Sequence, residues 1–266
     1  MPQSGTGYVE IFEDFTGITE DTDLAIVDAD GLRYNNILIV AQSGDVAMNA
    51  NVTSPNGLAT FSGAGGAADG IAILTAPFQP STQGTISTEI RFRLSAVTAE
   101  RFFFGFASTV DRDETVVPFS LSGTTLTANN AGSACGFHFD TAATTDDVRF
   151  SVSLAGAAAT GLTNRAANAA LGALGTRMNT TLVADSFIYM RVEIDENAGI
   201  RAYYGDVTTD PANTGPKLVV DIAGGSHIDR TALFHPYFHC VDTSTGDATL
   251  TVDFFGAKGG RSWSYT

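Results

Sequence analysis

The sequence has few cysteines and no long hydrophobic run. Its two cysteines, Cys135 and Cys240, cannot form a disulfide framework and lack the spacing of a zinc-binding pair, so we expect both as buried free thiols. No apolar stretch is long enough to cross a bilayer. Residues 1–7 have neither the cationic nor the apolar region of a secretory signal. We therefore expect a protein made in the cytoplasm, without a membrane partner.

Basic residues are also scarce. The chain of 266 residues has 14 Lys and Arg against 29 Asp and Glu, a net charge of −15. A surface this negative repels phosphate groups, which argues against nucleic acid and anionic lipid as partners. Only 16% of the residues are charged while 44% are hydrophobic, and this balance predicts a folded core.

Apolar and polar residues alternate with a period of two in many segments. The segments 85–94, 148–154, 188–194 and 250–254 each place their apolar residues on one face, which predicts half-buried β-strands. The segment 102–107 is apolar on both faces and predicts a strand buried between layers. Clusters of Gly, Asn and Asp separate these runs. The pattern predicts an all-β fold with little helix, a two-sheet antiparallel β-sandwich or jelly roll.

Two segments do not fit the alternation. Residues 155–181 are rich in Ala, Gly and Asn, and we interpret them as a long loop or as an arm that packs on a neighbouring subunit. Residues 259–266 are interpreted as a C-terminal tail that docks on another subunit or covers a sheet edge. No shift in composition and no repeat of fixed period divides the chain, so we expect 1–266 to be a single domain.

Several segments resemble the concanavalin A-like lectin/glucanase superfamily. The similar segments are 12–15, 136–140 with 148–154, 187–206, 236–239 and 250–255. The resemblance covers roughly residues 10–258 and implies a concanavalin A-like jelly roll. This superfamily includes glucanases, lectins and virion proteins of tailed bacteriophages, so the function has to be argued from a site.

Paired acids are the first chemistry to test, because glucanases of this fold carry a Glu-x-Asp-x-Glu spacing that places three carboxylates on one strand face. Glu193 and Asp195 begin such a pattern, but the third acid, Glu196, comes one residue early and points to the other face. No Gly-x-Ser-x-Gly elbow, phosphate-binding loop or dinucleotide motif occurs in the chain. We predict no catalytic and no cofactor-binding residue, and therefore a protein that is not an enzyme.

The histidines do not have the spacing of a metal site. His235 and His239 lie on one predicted strand, about 13 Å apart, too far to share a metal ion. His138 and His227 are isolated in the sequence. We expect a structural role for His235 and His239.

The acidic loops could offer oxygen ligands to calcium. One loop contains Asp111, Asp113 and Glu114. A second contains Asp140, Asp146 and Asp147. Neither has the spacing of an EF-hand. We predict no metal-binding residue and no cofactor, with calcium binding as the open alternative.

Carbohydrate recognition needs exposed aromatic rings beside polar groups. The candidates are Tyr203, Tyr204, Tyr237 and Trp263, although aromatic residues on strands more often belong to the core.

These observations favour a structural protein of a phage virion. We expect a capsid decoration (cement) protein on the outer capsid surface, bound to the major capsid protein as a homotrimer or dimer. The acidic surface would keep such particles soluble. The alternative is a lectin-like carbohydrate-binding module or a virion protein that adheres to a host glycan, and a glucanase comes third.

Overall fold

The structure is a computed structural model. It describes residues 8–15, 24–26, 31–42, 46–50, 57–63, 70–110, 117–129, 132–159, 162–166, 169–171, 175–206, 215–243 and 249–260. In this part of the chain, no helix has the length and apolar character needed to span a membrane.

The described residues form strands and one short helix, α1 (Pro80–Gln83). In chain order the strands are β1 (Tyr8–Glu13), β2 (Leu24–Ile26), β3 (Gly31–Tyr34), β4 (Ile37–Gln42), β5 (Val46–Ala50), β6 (Ala59–Gly63), β7 (Gly70–Thr75), β8 (Ile86–Leu94), β9 (Glu100–Ala107), β10 (Phe119–Ser122), β11 (Thr125–Ala128), β12 (Ala134–Asp140), β13 (Asp147–Leu154), β14 (Ala157–Ala158), β15 (Leu162–Asn164), β16 (Ala169–Leu171), β17 (Thr176–Thr181), β18 (Ile188–Ile194), β19 (Ile200–Gly205), β20 (Lys217–Ile222), β21 (His235–Asp242) and β22 (Thr249–Gly260).

Two large antiparallel sheets make up the fold, each with nine strands among the described residues. Sheet A has the order β2-β5-β6-β22-β8-β18-β19-β20, and β1 pairs with the C-terminal half of β22. Sheet B has the order β14-β13-β12-β9-β21-β7-β4-β3, and β17 also pairs with β13. Two short hairpins, β10–β11 and β15–β16, lie outside these sheets. The predicted all-β sandwich is confirmed.

The strands form where the alternation predicted them. The burial of β8 alternates strictly between buried and half-buried residues along its length, as does that of β18. This pattern arises because one face of each strand packs on the opposite sheet while the other faces outward. The segment 102–107, predicted to be covered on both sides, lies in β9 and is almost fully buried.

Aromatic side chains join the inner faces of the two sheets. The ring of Phe92 on β8 lies 4.9 Å from that of Phe238 on β21 and 5.3 Å from that of Phe102 on β9. Phe104 meets Phe255 edge-on at 6.5 Å. Because these large side chains are fully buried, they contribute much of the apolar area that stabilises the sandwich.

A second hydrophobic cluster covers the outer face of sheet B. The hairpin β10–β11 brings Phe119 to within 5.9 Å of Phe103 on β9, whose ring is also 6.0 Å from that of Tyr237 on β21. This cluster explains why β9 is buried on both faces. The outer faces of the two sheets therefore differ: among the described residues, the outer face of sheet A carries a row of exposed and half-buried aromatic and charged side chains.

The segment 155–181, interpreted from the sequence as a loop or arm, contains four short strands, β14 to β17, among its described residues. β14 and β17 pair with β13 at the edge of sheet B. The amide Nδ2 of Asn164 donates to the carbonyl oxygen of Val219 at 2.9 Å, which attaches β15 to β20. β14 to β16 have only two or three residues, too few to show alternation, and β17 (TRMNTT) has one apolar residue, so the sequence did not reveal these strands. Residues 259–260, assigned from the sequence to the tail, end β22.

Candidate functional site

Five neighbouring strands of sheet A place one residue each in a single row across its outer face. The register of the paired strands aligns Phe12 on β1, Gly256 on β22, Glu89 on β8, Arg191 on β18 and Tyr203 on β19. All five point outward because each lies one position away from a core residue on its own strand. We call this set the transverse row.

A cleft of about 180 Å³ opens above the transverse row. It lies at Gly256 and Ser87, the two positions where the surrounding strands carry no large side chain. Phe12, Glu89 and Arg191 stand around these small residues and form the walls. A Cβ built on Gly256 would lie 3.3 Å from both Glu89 Cγ and Phe12 Cδ2, so the open space depends on glycine at this position.

One aromatic ring, that of Phe12, lines the cleft, and further aromatic residues lie next to its lining residues. Phe12 is 52% exposed and stacks on Phe254 at 5.4 Å, and Phe254 meets Tyr189 edge-on at 5.8 Å. Tyr8 is 69% exposed, with the ammonium group of Lys258 4.8 Å from the centre of its ring. Tyr8 and Phe12 are both exposed large apolar residues of β1, and exposed apolar surface that is grouped in this way can mark a binding face.

The charged groups of the cleft are held in place by neighbouring side chains. The hydroxyl of Tyr189 donates a hydrogen bond to Glu89, and burial together with this carboxylate raises the pKa of Tyr189. Arg191 pairs with Glu193 at 2.6 Å. Burial acts to lower the pKa of Arg191, but Glu193 and Glu89 outweigh it and raise that pKa. The cleft therefore offers a fixed acceptor and a fixed donor side by side.

The three acids tested against the glucanase spacing lie in and after β18, and two of them make structural contacts. Glu193 is the partner of Arg191. The carboxylate of Asp195 accepts hydrogen bonds from the backbone N–H of Asn197 at 2.9 Å and of Gly199 at 2.7 Å, which shapes the turn between β18 and β19. Glu196 is exposed in that turn. The three carboxylates thus do not converge around a cleft.

His138, His235 and His239 lie on the outer face of sheet B, away from the cleft. His235 Nδ1 is 3.1 Å from the carbonyl oxygen of Thr75, and His138 Nε2 is 2.8 Å from Ser151 Oγ. Neither ring nitrogen of the fully buried His239 has a hydrogen-bond partner among the described residues. Burial lowers the pKa of His138 and of His239 to about 3, so both are neutral at physiological pH.

The remaining histidine, His227, lies between β20 and β21, and its pKa is also lowered by burial. Across the described part of the chain, no three His, Cys, Asp or Glu residues form a group that could hold a metal ion.

The carboxylate of Asp140 is occupied by N–H donors. It accepts from Nε of Arg101 at 2.9 Å and from the backbone N–H of Leu121 at 2.7 Å. Asp147 forms an ion pair with Arg177. The hydrogen bond from Leu121 attaches the β10–β11 hairpin to sheet B, and the ion pairs with Arg101 and Arg177 join strands within that sheet. The other acidic loop, residues 111–114, lies outside the described residues.

Of the aromatic candidates among the described residues, Tyr203 alone lies on an outer face and is partly exposed. Tyr204 is buried and donates its hydroxyl proton to Asp206 at 2.6 Å, and Tyr237 is buried under the β10–β11 hairpin. Trp263 lies outside the described residues. Sequence reasoning missed Phe12, although its position between the inward-facing residues of β1 was a signal of outward exposure.

Both cysteines are free and buried, which confirms the expectation. Cys135 is 0% and Cys240 6% exposed. They lie on β12 and β21, which are separated by β9, so a disulfide between them is geometrically impossible. Burial raises the pKa of both thiols.

Comparison with solved structures confirms the concanavalin A-like fold. Peanut lectin in complex with a nine-residue peptide has a TM-score of 0.55 at 11% identity, covering 97% of this chain and 100% of the lectin. A Lotus tetragonolobus seed lectin has a TM-score of 0.50 at 8% identity, covering 91% and 100% of the two chains.

A protein of unknown function from Shewanella oneidensis MR-1 is similar to the same degree. Its TM-score is 0.54 at 11% identity, covering 98% of this chain and 90% of that protein. No protein-family model matches the sequence, and no curated protein matches it. The chain therefore has the fold of a lectin-like β-sandwich, as legume lectins do.

Proposed function

We propose that this protein is a carbohydrate-binding domain and that the cleft above the transverse row holds the sugar. One observation carries the proposal: Phe12, more than half exposed, stands beside a cleft with a fixed carboxylate, Glu89, and a fixed guanidinium, Arg191.

The chemistry of this face suits a sugar ring. A pyranose has an apolar face of C–H groups, which packs on an aromatic ring, and a rim of hydroxyl groups that both donate and accept. Phe12 and Tyr8 offer rings, Glu89 accepts hydrogen bonds, and Arg191 and Lys258 donate them. Hydrogen bonds to charged groups are stronger than neutral ones, which favours capture of hydroxyls from water.

The likeness to two lectins agrees with this proposal but does not carry it, because identities of 8% and 11% show the fold alone. A non-enzymatic role is supported by Glu193 and Asp195, whose carboxylates serve an ion pair and a turn. The proposal corresponds to the alternative drawn from the sequence. Capsid decoration, attachment to the major capsid protein and a location in the virion stay predictions.

The test is binding of the purified protein to a panel of polysaccharides, measured by affinity electrophoresis and then by calorimetry. We expect binding without hydrolysis of the polymer. Phe12→Ala should weaken it by up to about tenfold, because stacking on an aromatic ring contributes about 0.5–1.5 kcal/mol. The matched control is Leu154→Ala, which removes a 37% exposed side chain from β13 of the other sheet and should leave binding unchanged.

A protein that binds no member of the panel contradicts the proposal. Light scattering and co-sedimentation with capsids would then test the virion role, which expects a stable oligomer and attachment to the shell.

A further inference from the structure

We propose that the ligand is a neutral, linear chain of several sugars that lies across the strands of sheet A, and not a single terminal sugar. This inference rests on the proposed carbohydrate function and adds the class of ligand and its direction. It is carried by the shape of the cleft and by the position of aromatic rings at both ends of the transverse row.

The cleft runs across the sheet and not along a strand. Its walls and floor come from four adjacent strands, β1, β22, β8 and β18. The next strand, β19, continues the row with Tyr203, whose ring centre is 5.7 Å from Cζ of Arg191. The cleft itself ends at Arg191, and Tyr203 lies next to Arg191 just beyond that end, so a ligand longer than the cleft would reach Tyr203.

The two ends of the transverse row are far apart compared with one sugar. Phe12 and Tyr203 are separated by four strand spacings of about 4.8 Å each, or about 19 Å. That distance exceeds the width of a pyranose ring several times over. A monosaccharide can contact one end only, whereas a chain of several units can stack on Phe12 and Tyr203 at the same time.

The middle of the row supplies polar contacts that are already ordered. Glu89 is held by Tyr189, and Arg191 is held by Glu193, so neither side chain loses much freedom when a ligand binds. Gly256 leaves the floor between Phe12 and Glu89 open. From one end to the other, the transverse row thus has an aromatic ring, an open floor, a hydrogen-bond acceptor, a donor and a second ring. This order suits a sugar chain, because each sugar unit has an apolar face and a rim of hydroxyl groups.

The charges of the face argue for a neutral sugar chain over a second copy of this protein. A self-interface here would bury Glu10, Glu89, Arg191 and Lys258 together, and the desolvation of so many charges opposes it. Two copies would also bring net charges of −15 together. The same net charge disfavours an anionic polysaccharide, whereas neutral hydroxyl groups can pair with carboxylates and cations alike.

The experiment is a length series from a disaccharide to a hexasaccharide of whichever neutral polysaccharide the protein binds, titrated by calorimetry. We expect affinity to rise with each added unit until the chain spans Phe12 to Tyr203, and then to level off. Phe12→Ala and Tyr203→Ala should each weaken binding of the longest oligomer by up to about tenfold. Tyr203→Phe keeps the ring and should restore binding, and Leu154→Ala is the control for surface truncation.

Three outcomes overturn the inference. Affinity that does not change with length, or a Tyr203→Ala variant that binds the hexasaccharide as well as the wild type does, would show that the cleft takes one sugar. Self-association that is abolished by Phe12→Ala would show that a second copy covers this face. Absence of binding to every polysaccharide would instead overturn the proposed function itself. Failure of this inference and failure of the proposed function therefore give different results.

Discussion

Phe12 and Glu89 stand on opposite sides of Gly256, and a Cβ at that position would lie 3.3 Å from the nearest atom of each side chain. Three strands that are remote in sequence meet at this point, since β1, β8 and β22 begin at Tyr8, Ile86 and Thr249. The absence of one side chain on β22 thus creates a cleft between residues contributed by its two neighbours.

Gly256→Val should close the cleft. The added side chain would occupy the space between Phe12 and Glu89, and we expect affinity for the polysaccharide to fall at least about tenfold, or 1.4 kcal/mol. The fold should persist, because both neighbouring side chains are partly exposed and can move, and because valine favours strands. Calorimetric titration measures the affinity, and thermal unfolding checks the fold.

Thr125→Val is the control for Gly256→Val, since it also puts valine on a strand, at an exposed position of β11. It should change neither affinity nor melting temperature appreciably. Unchanged binding by a folded Gly256→Val protein would place the ligand elsewhere.

Asp140→Asn should destabilise the protein by about 3 kcal/mol, because it leaves Arg101 without its buried ionic partner. The substitution also weakens the hydrogen bond that the backbone N–H of Leu121 donates to this carboxylate. Urea unfolding gives the change in the free energy of unfolding. Asp146→Asn, an exposed acid six residues further along the chain, is the control and should stay within about 0.5 kcal/mol of the wild type.

An equal effect of the two Asp→Asn substitutions would show that the Asp140 contacts do not hold the β10–β11 hairpin in place.

His239→Leu should flatten the dependence of stability on pH. Burial, aided by Arg101, lowers the pKa of His239 in the folded protein to about 3, against 6.5 when unfolded. The unfolded chain therefore binds one more proton as the pH falls from 6.5 towards 3. The free energy of unfolding should decrease by about 1.4 kcal/mol per pH unit from this residue alone. Above pH 6.5 this penalty is absent.

Glu100 acts in the opposite direction, because burial raises its pKa to about 8 from 4.5, so its contribution to stability increases as the pH falls from 8 to 4.5. Glu100 is present in both proteins, so its effect cancels when His239→Leu is compared with the wild type. Urea unfolding at a series of pH values makes this comparison. Parallel curves for the two proteins between pH 6.5 and 4.5 would refute the prediction.

Cys135 and Cys240 should not react with a thiol reagent in the folded protein. Both are buried, and burial raises the pKa of each, so the reactive thiolate is scarce and inaccessible. Titration with Ellman's reagent should release no chromophore from the native protein and two equivalents after denaturation in guanidinium, one for each free cysteine. Rapid reaction of one thiol without denaturant would mean that its strand opens readily.

The alternation in the sequence was sufficient to predict the regular strands and the sandwich. The predicted strand at 188–194 coincides with β18, and the segment at 85–94 differs from β8 by one residue. Residues 155–181 were not predictable in the same way, because β14 to β17 are short and consist largely of Ala and Thr. Their pairing depends on β13 and β20, which the local sequence does not encode.

The sequence by itself determined which residues of each strand point inward, because strand geometry sends successive side chains to opposite faces and burial of the apolar set selects the orientation. It therefore determined the two-sheet fold, the buried thiols and the lack of a catalytic acid motif.

Only the tertiary structure decided the candidate site. Phe12, Gly256, Glu89, Arg191 and Tyr203 form one row because β1, β22, β8, β18 and β19 pair in a particular register. That register is set by contacts between segments up to about 250 residues apart, and no local pattern specifies it.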